Sequence, residues 1–434
     1  MGISLIASVL VSHGHSVDLF VVCQKTKRES LYKFIEHFSP QLICFSAVFS
    51  EYNFISQIAE GIRSRYSDIF LLAGGTHVTL NPDKAIKDAF DAICIGEGEF
   101  PTLELVQQLE NGDEPAQIMN MWIKGKKGTE KNQTRNFLGV LDNLPFAFRD
   151  MWQKWIAYLE SAHTILLGRG CPFQCSYCCN HALKKVSNGK YVRFRSPKNI
   201  LSEIKEVIAH FPATENIYIE AETIGLDIKN SINLCSLLED YNNKLIQPLS
   251  YGTNLRIIPK ADYSLLFQSL KKANFDYLNI GLESGSERIR KEILNRDYSN
   301  EDFVKVVKLA KSFGFKINTY VLIGIPGEKL TDFKETIKCL RQTQPDAIRH
   351  NIFFPYPGTV LYEHCKNNEL LPEKIDLWGE RRRASLDLPG FSRRQINWQY
   401  NWFYYNVYKG YRPLFDIMSK LTIYRRICRL VDRS

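Results

Sequence analysis

No stretch of this 434-residue sequence stays apolar for the roughly 18 residues that a membrane-crossing helix needs. The first fifteen residues, MGISLIASVLVSHGH, are partly apolar but lack a basic start. Ser16–Val22 then continues as a strand pattern, so the opening reads as folded chain and not as a signal peptide. Neither sign of charge dominates: 56 Lys and Arg against 47 Asp and Glu leave +9, which permits an anionic partner without demanding one. No recognised nucleic-acid module is present, and nucleic acid is not expected as a partner. A second paired C-x-x-C unit is also missing, which argues against a structural zinc site. With no secretory context, the eleven cysteines are expected to be thiols or metal ligands in a reducing cytoplasm.

Cys23, Cys44, Cys94, Cys235 and Cys339 stand singly in apolar stretches and are expected to be small buried hydrophobes. Four others crowd into nine residues, Cys171 to Cys179, and that density asks for a reason.

The pattern of the chain is α/β. Strand candidates at 16–22, 42–47, 70–73 and 92–95 alternate with helical patterns at 28–37, 52–66, 82–90 and 100–109. Such alternation implies a doubly wound parallel sheet, which binds ligands at the carboxyl ends of its strands. Those ends carry Ser46, the turn Gly74-Gly75 and the turn Gly96-Glu97-Gly98. Glycine lets a backbone approach a ligand closely, although each turn alone would also serve as a plain tight turn. Residues 111–140 are polar and irregular, with room for one hairpin. A second alternation starts at His163, with strands expected at 164–167, 216–220, 249–253, 277–281, 316–323 and 347–353. Helical patterns lie between them at 199–210, 228–242, 262–272, 287–294, 300–313 and 330–343. Six βα units with right-handed crossovers wind into a partial barrel with functional groups at the strand ends. Beyond about Pro372 the chain is rich in Arg, Tyr and Trp. It reads as a helical extension packing its aromatics on the barrel, or as a basic aromatic surface for a membrane face or anionic ligand.

Cys171, Cys175 and Cys178 follow the first barrel strand directly, in the run GRGCPFQCSYCCN. Thiolates spaced by three and two residues can converge on one iron–sulfur cubane. Three ligands for four irons leave one iron open, as a catalytic metal keeps one position open. Cys179 or His181 would be a fourth ligand under a zinc reading, but adjacent residues seldom both face one metal.

This C-x-x-x-C-x-x-C loop on a six-unit βα barrel resembles the radical S-adenosylmethionine enzymes, and Tyr177, the aromatic before the third cysteine, matches their pattern. The resemblance implies a 4Fe-4S cluster on Cys171, Cys175 and Cys178, reductive cleavage of S-adenosylmethionine to a 5′-deoxyadenosyl radical, and an external electron donor such as flavodoxin or ferredoxin. It further implies S-adenosylmethionine contacts at Tyr177, Glu220, Glu222, Asn254, Arg256, Glu283, Ser284, Ile325 and Pro326; Thr253 and the run PYPGT at 355–359 also close strands. The turns at Ser46, Gly74, Gly75, Gly96, Glu97 and Gly98 resemble the cobalamin-binding domain fused to one branch of that family. There the chain departs twice. No Asp-x-His-x-x-Gly occurs, so His77 is not assigned to cobalt, and the chain opens where the domain's first helix normally begins, without its usual first strand.

The expected layout is a cobalamin-binding Rossmann-like domain at 1–125, a linker at 126–160, a radical S-adenosylmethionine partial barrel of TIM-like (β/α)6 type at 161–368 and a helical extension at 369–434. The expected activity is methylation of an unactivated carbon of a small molecule. The alternatives are a radical cyclase or rearrangement enzyme without methyl transfer, and a non-catalytic cobalamin or redox sensor.

Overall fold

A computed structural model describes residues 1–23, 25–377, 379–419 and 421. The chain divides into two compact units. The first comprises Met1–Leu159 with Gly170–Pro172 and Cys179–Arg193, and the second comprises Glu160–Arg169, Phe173–Cys178 and the chain from Phe194 on.

The first unit holds a five-stranded sheet in sequential order: β1 (Leu42–Ser46), β2 (Phe70–Gly74), β3 (Ala92–Cys94), β4 (Met121–Gly125) and β5 (Gly128–Lys131). The first three strands are parallel and the last two form an antiparallel hairpin. Helices Gly2–Ser12, Arg28–Phe38, Phe49–Arg65 and Glu99–Glu110 accompany it. Residues 141–152 are tied to the first helix, where the indole N–H of Trp152 donates to Ser4 Oγ at 2.9 Å and the Phe148 N–H to Ser4 O at 3.1 Å.

Three expectations for this unit fail locally. Ser16–Val22 forms no strand. A strand needs a neighbour to pair with, and among the described residues no strand pairs with this segment. Phe20 and Val22 still pack on the core, so the segment keeps its strand-like alternation without a ladder. Cys23 and Cys44 are exposed, not buried, because one lies at the end of this unpaired segment and the other on the open edge of β1. The pattern at 82–90 yields only the turn of helix Pro82–Ala85, followed by turns.

The second unit is a six-stranded, wholly parallel sheet: β6 (Ala162–Leu166), β7 (Asn216–Glu220), β8 (Ser250–Leu255), β9 (Phe275–Glu283), β10 (Lys316–Ile323) and β11 (Ala347–Ile352). The strand order follows the sequence and β11 does not pair back to β6, so the barrel is open. Helices Pro197–His210, Ile228–Asn242, Ser264–Lys272, Asn300–Ser312 and Leu330–Thr343 connect the strands. The β9 crossover departs from expectation. Residues 289–293 make a widened π-type turn in place of a full helix, around the fully buried Arg290, whose guanidinium donates to the carbonyls of Ser284 and Tyr298. The tail supplies helices Arg393–Asn401 and Phe403–Tyr408, with Phe403, Val407 and Tyr408 buried. The arginine-rich end at 422–434 lies outside the described residues.

Candidate functional site

In the second unit the cysteine loop is anchored by its backbone. The Cys178 N–H donates to Cys175 O at 3.0 Å, Ser176 N–H to Leu294 O at 3.2 Å, and Leu361 N–H to Ser176 O at 3.0 Å. The Asn295 amide donates to Gln174 O at 2.9 Å. The stretch 174–178 is therefore fixed to the chain beyond β9 and to the helix Val360–Asn367. In the first unit Gly170 adopts φ +84°, and a Cβ there would stand 2.2 Å from Tyr191 O, so only glycine fits the position before Cys171.

Cys175 is buried, and Arg256 Nη1 donates to its sulfur at 2.6 Å. The same guanidinium lies over the Phe173 ring at 3.8 Å. Cys171 and Cys178 are half-buried. Among the described residues, no three His, Cys, Asp or Glu side chains are grouped as ligands of one metal ion. A cubane does not require that, since each thiolate binds its own iron. The donor set fits the cluster: three thiols sit within eight residues, and a fixed cation faces the buried one, as anionic ligation favours.

Tyr177 and Glu283 share one arginine. Arg296 Nη1 donates to Tyr177 Oη at 2.9 Å and to Glu283 Oε1 at 3.0 Å, and its Nη2 to Gly281 O at 3.0 Å. Burial and the nearby Glu283 carboxylate hold the Tyr177 phenol well above its usual range, against the pull of Arg296. Glu283 adopts φ +60° beside a bulge in the β9–β10 ladder, and a Cβ on Gly281 would come 2.3 Å from its carboxylate. Ser284 is fully buried, and its hydroxyl accepts from the Ser286 N–H.

Glu220 ends β7, half-buried, with its carboxyl pushed up by desolvation and by Glu222, which is exposed. Asn254 belongs to a polar belt across the barrel's inner face. The Tyr218 hydroxyl donates to Asn254 Oδ1 at 2.5 Å, Asn279 Nδ2 donates to both at 3.1 Å, and Asn318 Nδ2 to Asn279 Oδ1 at 3.0 Å. Ile325 and Pro326 are buried in the turn after β10. That turn closes on Glu328, whose Oε2 accepts from Gly324 N–H at 2.7 Å and Ile325 N–H at 3.1 Å.

The sequence reading missed Arg296, Glu328 and the belt. Polar residues alternating with isoleucines at Tyr218, Asn279 and Asn318 were a legible signal, as was Glu328 ending its glycine-proline run. Nothing in sequence ties Arg296 to Glu283, thirteen residues earlier.

In the first unit, Ser46 and the glycines share the carboxyl edge of β1–β3. Gly75 adopts φ +93° with a virtual Cβ 3.0 Å from Ala47 O, and Gly96 adopts φ +87°. This side-chain-poor edge fits a large planar cofactor lying across it. Gly98 lies in ordinary helix-start geometry. Glu97 is engaged within the protein: Arg193 grips both its oxygens, at 2.9 and 3.1 Å, and Leu138 N–H donates to it at 3.0 Å. His77 is buried against Tyr52, with its pKa lowered to about 4 by desolvation.

Residues 165–340 match the model of the radical SAM superfamily, and residues 1–106 match that of the B12 binding domain. An uncharacterized methyltransferase of Pyrococcus horikoshii is 24% identical over 376 residues, which is 86% of this chain and 79% of that protein. The anaerobic magnesium-protoporphyrin IX monomethyl ester cyclase of Rubrivivax gelatinosus is 23% identical over 306 residues, 68% of this chain and 53% of that one. Among solved structures, the fold is similar to the cobalamin-dependent S-adenosylmethionine radical enzyme OxsB with aqua-cobalamin bound (TM-score 0.72, 17% identity, 99% of this chain and 69% of that one). It is also similar to the radical S-adenosylmethionine methyltransferase TsrM from Kitasatospora setae (TM-score 0.68, 15% identity, 85% and 74%).

Proposed function

Since this chain carries a radical SAM domain behind a B12-binding domain, we propose that it is a cobalamin-dependent radical S-adenosylmethionine enzyme that methylates an unactivated carbon of a small molecule. The observation that carries this reading is the cysteine loop, anchored after the first barrel strand with Arg256 against Cys175. Cys171, Cys175 and Cys178 would hold the cluster. When bound, cluster and S-adenosylmethionine supply a 5′-deoxyadenosyl radical, and cobalamin supplies a transferable methyl group.

The chain's own groups bind and orient. Desolvation and Glu222 make the charged form of Glu220 costly, and an arriving ammonium group relieves that cost. Glu220 and Glu222 therefore suit the amine of S-adenosylmethionine. Arg296 holds Tyr177 and Glu283 in one orientation, which couples the cluster loop to the end of β9. The turn at Ile325 and Pro326, closed by Glu328, offers a rigid apolar surface with Asn254 and Ser284 nearby in strand order. Ser46, Gly74, Gly75, Gly96 and Gly98 are the cobalamin side of the proposal, with Glu97 as a strut on Arg193 and no direct role.

Electrons come from an external flavodoxin- or ferredoxin-type donor, and no nucleic acid is involved. No described helix is long and apolar enough to cross a membrane. The described tail aromatics favour packing on the barrel over a membrane-facing role. The TsrM and methyltransferase relatives support methyl transfer.

The test is anaerobic purification with iron, sulfide and corrinoid quantification, followed by reduction with S-adenosylmethionine. Cluster absorbance, bound corrinoid and 5′-deoxyadenosine are expected. Protein that shows no cluster and makes no 5′-deoxyadenosine sinks the reading, and a methylated product separates transfer from cyclisation.

A further inference from the structure

The inner face of the barrel is polar and aromatic, where a closed barrel would pack branched aliphatic side chains. The belt of Tyr218, Asn254, Asn279 and Asn318 satisfies its own members. The positions flanking it do not. Tyr277 stands two residues before Asn279 on β9, and Tyr320 two residues after Asn318 on β10, so both share the belt's face. Arg349 of β11 is in register with Tyr320. Its neighbours Ile348, His350 and Ile352 are buried on the opposite face, where His350 stacks on Phe403 at 4.5 Å. Alternation therefore turns Arg349 towards Tyr320 and the belt.

Among the described residues, the hydroxyls of Tyr277 and Tyr320 and the guanidinium of Arg349 have no hydrogen bond or ion pair to the protein. Four other arginines of this unit are committed. Arg288 pairs with Asp332, Arg290 with backbone carbonyls, Arg296 with Glu283 and Arg341 with the tail backbone. Arg349 acts on the titration of Tyr277 and Tyr320, while Glu220 acts on the same two rings in the opposite sense. Glu220 follows Tyr218 by two residues on β7 and Arg349 is in register with Tyr320, so alternation puts both charges on the belt's face. The Tyr277 ring lies parallel to Tyr218 with centroids 6.3 Å apart, over Gly252, where any Cβ would come within 2.0 Å of it. Glycine at 252 keeps that aromatic wall in place.

We propose that Arg349 is the substrate-recognition residue of this barrel and receives the carboxylate of a substrate whose flat apolar body lies along Tyr277 and Tyr320. A guanidinium fork matches the two oxygens and single charge of a carboxylate, and the tyrosine rings offer area with hydroxyls at the edge. The inference rests on the function proposed above, with Glu220 and Glu222 serving the amine of S-adenosylmethionine and Arg349 serving the substrate.

The test is a ligand-observed NMR titration of the anaerobically reconstituted full chain with phenylacetate and its neutral isostere phenylacetamide. The acid is expected to bind about tenfold or more tightly than the amide, as a charged hydrogen-bonded pair predicts. Arg349→Gln should bring the two within about twofold, and Arg349→Lys should keep part of the preference, since lysine retains the charge and loses the fork. Cluster and corrinoid absorbance of the same samples report folding, which an exposed position should tolerate. A wild type without acid preference overturns the proposal, as does a preference that survives Arg349→Gln. Acid preference in a protein that never assembles a cluster upholds Arg349 and sinks the radical reading instead.

Discussion

Both sheets end on a parallel edge strand, and the chain treats the two edges differently. On β1 the edge is bare among the described residues: the strand pairs with β2 alone, and Cys44 and Ser46 are exposed. On β11 the tail covers it. The Tyr404 hydroxyl donates to Ile348 O at 2.9 Å, and the Ile352 N–H donates to Arg381 O at 2.8 Å. Arg412 donates to the carbonyls of Pro345 and Asp346 just before the strand. Unpaired edges invite other chains, and covering one with a helix is a common defence. The barrel therefore carries its own edge protection within the described chain, while among the described residues β1 has β2 as its one strand partner.

The sharpest way to separate the two cofactor sites is to remove one of them. Replacing Cys171, Cys175 and Cys178 together by alanine should abolish cluster absorbance and 5′-deoxyadenosine formation. Corrinoid content should stay at the wild-type level, because none of the three cysteines lies on the carboxyl edge of β1–β3, where Ser46 and the glycine turns stand. Loss of corrinoid in the same variant would show that the two sites depend on each other.

A smaller effect compares packing. A Cβ on Gly285 would lie 2.4 Å from Thr336 Cα and 2.5 Å from its N, against helix backbone that cannot yield. Gly285→Ala should lower stability by about 3 kcal/mol, read from denaturant midpoints. A Cβ on Gly98 would press on the flexible tip of Ile6 at 3.1 Å and meet Cys94 Sγ at an ordinary 3.5 Å, at a φ of −104° that any residue adopts. Gly98→Ala should cost less than about 1 kcal/mol. Equal losses would mean that the first sheet is as tightly packed as the barrel.

The same contrast explains what could be read from sequence. Barrel strands β7 and β10 fall on the residues expected, 216–220 and 316–323, because long alternating runs between amphipathic helices leave little ambiguity. The segment 16–22 has the same alternation and still forms no strand, since a ladder needs a neighbour and propensity cannot supply one. The site divides similarly. The cysteines, Glu220 and Glu283 stand at strand ends and were legible from order alone. Arg296 comes from an irregular loop, and its partners are joined only by folding. Glu97 stood in a glycine turn like a ligand contact, yet Arg193, 96 residues later, occupies both of its oxygens.

Glu328 tests the barrel turn through pH. Complete burial pushes its carboxyl up to about 8, against the backbone N–H groups of Gly324 and Ile325, which lower it. The folded state therefore holds this proton more tightly than the unfolded chain, whose carboxyl titrates at the ordinary 4.5. Its contribution is complete below the ordinary carboxylate range and is lost as pH rises through about 8. Wild type should lose stability as pH rises from about 4.5 to about 8 (~1–3 kcal/mol, the cost of leaving a buried polar group poorly satisfied). Glu328→Gln keeps an acceptor oxygen and removes the titration, so its stability should be flat over that interval. A parallel decline in both proteins would exclude Glu328 as the cause.

The smallest expected effect returns to the two edges. Tyr404→Phe removes one hydroxyl hydrogen bond to Ile348 O and leaves the ring packing against His350 intact. It should cost about 1 kcal/mol and speed amide exchange along β11. Cys44→Ser makes a comparably small change on β1, where the side chain is exposed and, among the described residues, no chain covers the strand edge. Its effect should stay within about 0.5 kcal/mol, with exchange along β1 unchanged. If Tyr404→Phe is as silent as Cys44→Ser, the tail merely lies beside the barrel. If Cys44→Ser is the costlier of the two, something covers β1 after all, and the bare edge is the wrong description of the first sheet.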